Sequence, residues 1–194
     1  MSSRDHILNR INANKPELLT LPNIDASIFD AGLNVMAEFI KKVEVVGGNV
    51  LETTSNDAVI SKVETIFPDA QIKYSTIAGT EAFNTLDLTT IKKSQDLEDL
   101  DILIIESDLA VAENGAVWVS DKQLPLRVLP FITKHLVLVV SKENVVPYMH
   151  QAYEKLSDTS GFGVFIAGPS KTADIEQSLV IGAHGALSLT IFVK

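Results

Sequence analysis

Three runs of apolar residues in the second half of the chain contain no polar positions. They lie at residues 102–105, 116–119 and 136–140. Strands that are covered on both faces carry such uninterrupted apolar sequence, so the runs predict the centre of a layered sheet. The pattern predicts further strands at residues 50–51, 71–77, 162–167 and 187–193.

Stretches with helical spacing of apolar residues alternate with these strands. Between residues 25 and 43, apolar side chains recur three or four positions apart, with Glu38, Lys41 and Lys42 on the other side. Helices are also predicted over 57–66, with Asn56 as the cap, over 143–156 and over 173–183, and a loop with a short helix over 78–100. Helices between buried strands indicate an α/β fold, with a mostly parallel layered sheet, some antiparallel pairs and flanking helices.

The first residues of the chain differ from the rest. Residues 4–13 have helical composition, and Pro16 and Pro22 then favour an extended backbone. The sequence therefore predicts an N-terminal helix and extended arm over residues 1–24, followed by an α/β domain over residues 25–194.

Composition narrows the classes of function. Of 194 residues, 46% are hydrophobic, and no apolar run approaches the roughly 18 residues that span a bilayer. The first residues lack the apolar core of a signal peptide, so we expect a cytoplasmic protein without a membrane partner. The net charge of −9 opposes a nucleic-acid backbone, and no nucleic-acid partner is expected.

Cysteine is absent from the chain. This excludes disulfides, a cysteine nucleophile and an iron–sulfur cluster held by the chain's own thiolates, so redox chemistry would need a partner. The four histidines are scattered without metal-ligand spacing, and no metal site is predicted. Neither Ser107 nor Ser170 lies in the Gly-x-Ser-x-Gly setting of a serine nucleophile.

Residues 168–176 follow a predicted strand and open a predicted helix. The backbone N–H groups at a helix start can hold an anion, and the Lys171 ammonium would add a positive charge. Alternatively, Ser170 or Thr172 caps the helix while Asp174 complements its dipole. At the other end of this helix, Gly182 and Gly185 flank His184, the pattern of an ordinary C-cap with a structural histidine.

Residues 105–115 link two buried strands and contain three carboxylates. Ligands of open α/β sheets gather outside the carboxyl ends of strands, where Glu106, Asp108 and Glu113 are expected. A carboxylate there can act as a nucleophile, a general base or a hydrogen-bond acceptor. In the alternative interpretation, residues 113–115 are a hairpin turn and Asp108 forms an Asx turn or a helix cap.

These segments together resemble the LUD domain family, in the lactate-utilisation protein C group. The matching residues are 107–115, 129–130, 135–140, 168–176 and 182–185. The resemblance implies the fold shared by ribose-phosphate isomerases, glucosamine-phosphate deaminases, CoA transferases and formyltetrahydrofolate cyclo-ligase, which bind anionic metabolites.

The resemblance also implies a role in the oxidation of lactate to pyruvate beside iron–sulfur partner subunits, with this chain as a subunit that carries no cluster. A small anionic metabolite would bind at Gly168, Ser170, Lys171, Thr172, Asp108, Asn114 and Gly115. Asp174 and His184 would orient the side chains that bind the metabolite. The resemblance does not identify a cofactor.

Two positions depart from the family pattern, because Asn114 and Ala186 stand where the family usually has Thr and Pro. The sequence Glu-Asn-Gly is also the setting of the catalytic glutamate in CoA transferases. Glu113 is therefore the predicted catalytic residue of an alternative acyl-transfer, sugar-phosphate or folate-type enzyme. A third interpretation is an accessory subunit without catalysis.

Overall fold

The computed structural model describes residues 2–20, 22–23, 25, 32–156, 161–173 and 179–194. The chain divides into two units, Met1–Gly32 and Leu33–Lys194. The helix of the first unit, α1, is Ser3–Ala13, which confirms the helix predicted there. It begins with a capping box, since Ser2 Oγ accepts the Asp5 N–H at 3.2 Å and the Asp5 carboxylate accepts the Ser2 N–H at 2.8 Å.

The second unit mixes helices with short strands. Its described α-helices are α2 (Val35–Val45), α3 (Asn56–Ile66), α4 (Leu129–Ile132) and α5 (Met149–Lys155). Its described strands are β1 (Asn49–Glu52), β2 (Lys73–Ser75), β3 (Ile102–Ser107), β4 (Ala110–Val111), β5 (Ala116–Ser120), β6 (His135–Val140), β7 (Val145–Val146), β8 (Gly163–Ile166), β9 (Lys171–Ala173), β10 (Leu179–Ile181) and β11 (Ser188–Val193). Short 3₁₀ turns lie at Glu81–Phe83, Leu88–Thr90, Ser94–Leu97 and Lys142–Asn144.

The strands form a parallel sheet and two smaller sheets. The five-stranded sheet has the order β1-β11-β6-β3-β2, and every pair in it is parallel. A four-stranded sheet has the order β7-β4-β5-β8 with parallel and antiparallel pairs, and β9 and β10 form an antiparallel pair. The predicted α/β fold, mostly parallel and flanked by helices, is confirmed.

Both faces of the five-stranded sheet are covered. On one face, residues such as Leu103 and Leu138 share a buried cluster with Phe39 of α2 and with Val117 of the four-stranded sheet. On the other face, residues such as Ile104, Val137 and Phe192 share a cluster with Val59 and Val63 of α3. This double covering explains why the strand sequences are apolar without alternation.

Two helix starts differ from the predictions. Helix α2 begins at Val35, not at residue 25: the Asn34 side chain caps it by accepting the Ala37 N–H at 3.1 Å. Residues 26–31 lie outside the described residues. The cap of α3 is Ser55 rather than Asn56, because the Ser55 hydroxyl accepts the Ala58 N–H at 3.2 Å.

The helix predicted over 143–156 is wrong in its first half. A 3₁₀ turn and strand β7 occupy that part, and α5 begins only at Met149. Pro147 gives the physical reason, since a proline disfavours helical backbone at the residue before it. Val145 and Val146 are therefore extended, and they pair with β4.

Candidate functional site

The segment that was predicted to open an anion-binding helix instead begins a β-hairpin. Strand β9 pairs antiparallel with β10, with Thr172 opposite Val180 and Lys171 opposite Ile181. The helix predicted over 173–183 is therefore wrong where the structure describes it, and Asp174 lies outside the described residues. Three of the paired side chains are β-branched, and such residues favour strands. Residues 171–173 are a strand, so no helix dipole attracts an anion to them.

Lys171 lies at the C-terminal end of α2. Its ammonium donates a hydrogen bond to the carbonyl oxygen of Val46, the residue that caps this helix. A cation is favourable there, because the last carbonyl groups of a helix carry partial negative charge. Gly168 packs against the same residue: a Cβ at Gly168 would lie 2.5 Å from the Val46 oxygen. The contacts of Lys171 and Gly168 thus attach the hairpin to α2.

Ser170 and the residues around His184 lie together beside the hairpin. The Ser170 N–H donates to the Ala186 oxygen at 2.8 Å, and the Gly182 N–H donates to the Ser170 oxygen at 3.0 Å. His184 is exposed in the turn that leads into β11. The expected helix C-cap at this turn is wrong, because β10 and not a helix precedes it.

Glu113 projects from the turn between β4 and β5. Its N–H donates to the Pro147 oxygen at 2.9 Å, and its exposed carboxylate accepts the N–H of Met149, the first residue of α5, at 2.9 Å. Asn114 Oδ1 accepts the Ala116 N–H at 3.1 Å, and Gly115 has a φ of +69°. The alternative interpretation of residues 113–115 as a hairpin turn is confirmed.

The Glu113 turn and the β9–β10 hairpin contact the same end of α2. A Cβ at Gly115 would lie 2.8 Å from the backbone nitrogen of Val43, and Gly168 meets Val46. Residues 43 and 46 are about 4.5 Å apart along a helix axis. The structure therefore brings two of the predicted segments to neighbouring positions on one helix.

Asp108 lies apart from that helix end, in the turn between β3 and β4. The Ser107 hydroxyl shapes this turn by accepting the Leu109 N–H at 3.2 Å and donating to the Trp118 oxygen at 2.6 Å. Asp108 is exposed and lines a cavity of about 150 Å³ with Trp118 and Lys155. Among the described residues, no hydrogen bond links Asp108 to the other predicted site residues.

Sequence reasoning missed a set of lysines at the carboxyl edge of the parallel sheet. Glu106 was expected at this edge, and its carboxylate pairs with Lys194, which follows β11. Lys62 and Lys142 line a cavity of about 620 Å³ together with Lys194. The sequence did carry a signal, because Lys194 directly follows one predicted strand and Lys142 lies two residues after another.

A second missed group lies at the amino ends of the parallel strands. Burial opposes ionisation of Asp101, but the backbone N–H groups of Ile72 and Gln71 and the Lys134 ammonium lower its pKa to about 2. His135 stacks on Phe67 at 4.2 Å, and burial lowers the pKa of its imidazole. Asp101 thereby links the loop before β2 to the residue before β6.

Neither a metal-site cluster nor a membrane-spanning helix is found in the described part of the chain. There, no group of three or more histidine and carboxylate side chains has the arrangement of a metal site. No helix in the same part is long and apolar enough to cross a membrane.

Comparison with known proteins identifies the class and then the family. The parallel sheet, covered by helices and by the smaller sheets, defines an α/β domain. The family model described as LUD domain matches residues 80–193. The chain belongs to the LUD domain family, as its motifs predicted.

Several relatives of the chain carry the name lactate utilization protein C. The protein of that name from Oceanobacillus iheyensis is 33% identical in an alignment of 103 positions, which covers 50% of this chain and 44% of that protein. The chain thus spans less than half of this relative. Lactate utilization protein C 1 from Bacillus mycoides is 25% identical in an alignment of 209 positions, which covers 92% of this chain and 89% of that protein.

A solved structure has the same fold. It is a DUF162 family protein from Deinococcus radiodurans, with a TM-score of 0.63 and 14% sequence identity. The match covers 89% of this chain and 99% of that chain. At this identity the likeness concerns the fold alone.

Proposed function

We propose that this chain takes part in lactate utilisation and binds a small anionic metabolite in that role. The observation that carries the proposal is the similarity to the Bacillus mycoides protein along 92% of this chain, with the name lactate utilization protein C 1 attached to that relative. The carboxyl edge of the parallel sheet supports metabolite binding, because ligands of open α/β sheets gather there.

The proposal includes partner subunits. Oxidation of lactate to pyruvate removes two electrons and two protons, and these 194 residues contain no cysteine to hold an iron–sulfur cluster. Iron–sulfur partner proteins would accept the electrons in the cytoplasm, while this chain would hold the organic acid.

Acyl transfer through Glu113 is the second candidate function. Its support is an exposed carboxylate on a turn that is fixed at both ends, by the Glu113 N–H on Pro147 and by the Gly115 N–H on Val111 at 3.0 Å. In this reaction the Glu113 carboxylate would attack the carbonyl carbon of an acyl-CoA thioester, forming an acyl-glutamyl anhydride and releasing the CoA thiolate. The thiolate would then attack the glutamyl carbonyl carbon, which gives a glutamyl-CoA thioester and releases the acyl group as the free carboxylate.

Thermal unfolding with a panel of ligands tests these proposals. A ligand at about 100 times its dissociation constant adds roughly 2.7 kcal/mol to the free energy of unfolding, which raises the Tm by several degrees. Lactate or pyruvate is expected to raise the Tm of the wild type and of Glu113→Gln alike. A rise with a CoA ester alone, lost in Glu113→Gln, would favour acyl transfer. No rise with lactate, pyruvate, sugar phosphates, folates or CoA esters would contradict metabolite binding.

A further inference from the structure

A cavity of about 620 Å³ opens at the carboxyl edge of the five-stranded sheet. The register aligns the last residues of three neighbouring strands there, with Glu52 opposite Val193 and Val193 opposite Val140. The residues that follow these strands line the cavity, together with the first turns of α3. We call it the carboxyl-edge cavity, and its polar lining includes Glu52, Thr53, Thr54, Lys62, Lys142 and Lys194.

Backbone hydrogen bonds beyond the strand ends fix the positions of this lining. The Thr53 N–H donates to the Val193 oxygen, the Lys194 N–H to the Val140 oxygen and the Lys142 N–H to the Lys194 oxygen, each at 2.9 Å. The backbone hydrogen bonding of the sheet therefore continues into the residues that line the cavity. Such a rigid backbone holds the side chains of Lys142 and Lys194 on one side of the opening.

Three ammonium groups face this cavity from three different elements. Lys62 of α3 donates to the backbone oxygen of Glu52 at 2.6 Å and has no carboxylate partner among the described residues. Lys142 lies 3.3 Å from the Glu52 carboxylate. Lys194 pairs with the Glu106 carboxylate and donates to Asn56 Oδ1 at 3.2 Å.

Carboxylates balance much of this positive charge. Glu52 pairs with Lys142 and Glu106 pairs with Lys194, and Glu143 also lines the cavity. The Glu52 side chain is 69% exposed and that of Lys142 45%, and such an exposed ion pair is worth at most about 1 kcal/mol. An incoming carboxylate can therefore replace Glu52 on Lys142 while Glu52 turns to solvent. The balanced charge suits a monoanion better than a phosphate dianion.

Thr53 and Thr54 add hydroxyl groups at the same opening. The Thr53 hydroxyl donates to the Ser55 oxygen at 3.2 Å, which leaves its lone pairs to accept, and Thr54 is exposed at the mouth. The Thr53 hydroxyl can therefore accept a hydrogen bond from an alcohol, and the Thr54 hydroxyl, which can also donate, matches a ketone oxygen beside a carboxylate. The cavity is wider than a three-carbon acid, so bridging water would complete the contacts.

We propose that the carboxyl-edge cavity binds a small 2-hydroxy or 2-oxo monocarboxylate. The ligand carboxylate lies between the ammonium groups of Lys62 and Lys142, and its 2-oxygen faces Thr53 and Thr54. The class of acid in this assignment rests on the proposed function. The location of the binding site rests on the cavity. It moves the anion site away from Lys171, whose ammonium is bound to the end of α2.

Calorimetric titration of the full chain with lactate, pyruvate and inorganic phosphate tests the assignment. Loss of a charge-assisted hydrogen bond predicts at least a tenfold weaker acid affinity in Lys62→Met, about 1.4 kcal/mol, and a similar loss in Lys142→Met. Lys41→Met is the matched control, because Lys41 is an exposed helical lysine whose partner is Glu38. It is expected to bind like the wild type, and circular dichroism checks that each variant is folded.

The possible outcomes separate the two proposals. Acid binding that is equally strong in Lys62→Met and Lys142→Met overturns the carboxyl-edge cavity but leaves the proposed function standing. Lysine-dependent phosphate binding that is tighter than acid binding overturns the monocarboxylate class. No acid binding to the wild type overturns both proposals.

Discussion

Two glycines set the close contacts between α2 and the segments that the sequence singled out. Gly115 has a φ of +69° and Gly168 a φ of +76°, in the left-handed region that side chains with a Cβ rarely adopt. Each also lies against the backbone of α2, at Val43 and Val46. Glycine is needed there for its conformation and for its lack of a side chain.

Substitution of Gly115 by alanine separates these two needs when Gly79 serves as the control. Gly79 has a φ of +83° and nothing within 4 Å of a Cβ, so Gly79→Ala carries the conformational cost alone, about 1–2 kcal/mol. Gly115→Ala adds a collision with the Val43 backbone and is expected to cost about 1–3 kcal/mol more. Urea unfolding measures both variants. Equal losses would contradict the tight packing of this turn on α2.

Asp101 makes stability depend on pH in the acid range. Burial disfavours its charge, but its hydrogen-bond donors bring its pKa to about 2, below the ordinary 3.8. A lowered carboxyl pKa stabilises the fold above the ordinary value, and this stability is lost as pH falls from about 4 to 2. Asp101→Asn is therefore expected to flatten the loss of stability over this range, measured by urea unfolding at successive pH values.

Asp99→Asn is the control for this effect, because Asp99 is an exposed carboxylate in the same loop. It should keep the pH dependence of the wild type. An Asp101→Asn variant that loses stability as steeply as the wild type would show that the donors around Asp101 do not favour its charged form. No sequence motif marks Asp101, since its role depends on Gln71 and Lys134, some 30 residues away on either side.

At the scale of elements, the sequence predicts the buried strands well. The runs at 102–105, 116–119 and 136–140 lie within β3, β5 and β6, because covering on both faces demands apolar residues at every position. The pattern does not reveal which sheet a strand joins. β5 belongs to the four-stranded sheet, although its apolar run resembles those of β3 and β6 in the five-stranded sheet.

At the β9–β10 hairpin, the local sequence pattern did not predict the structure of the candidate site. Polar residues at 170–172 look like helix caps, yet Thr172 pairs with Val180 and Lys171 bonds to Val46, 125 residues earlier. Contacts so distant along the chain override local propensity, and one sequence gives no sign of them. The family was predicted correctly, but the helix predicted over residues 173–183 was wrong where the structure describes it.

For the whole molecule, the net charge acts on a ligand at long range, whereas the fold determines which charged side chains lie within contact distance of it. The chain has a net charge of −9, which would repel an anionic metabolite at long range. Salt screens that repulsion beyond about 8 Å, whereas the lysines of the carboxyl-edge cavity act at contact distance. The parallel sheet gathers them, because the residues that follow β6 and β11 emerge at one edge.

We propose that a small organic acid binds at this edge of the sheet. Amide chemical shifts of the ¹⁵N-labelled chain, followed by nuclear magnetic resonance during titration with lactate, test it most directly. The largest changes are expected at Thr53, Thr54 and Lys142. Changes confined to residues 113–115 and 168–172 would contradict it, and would place the acid at the site that the sequence predicted.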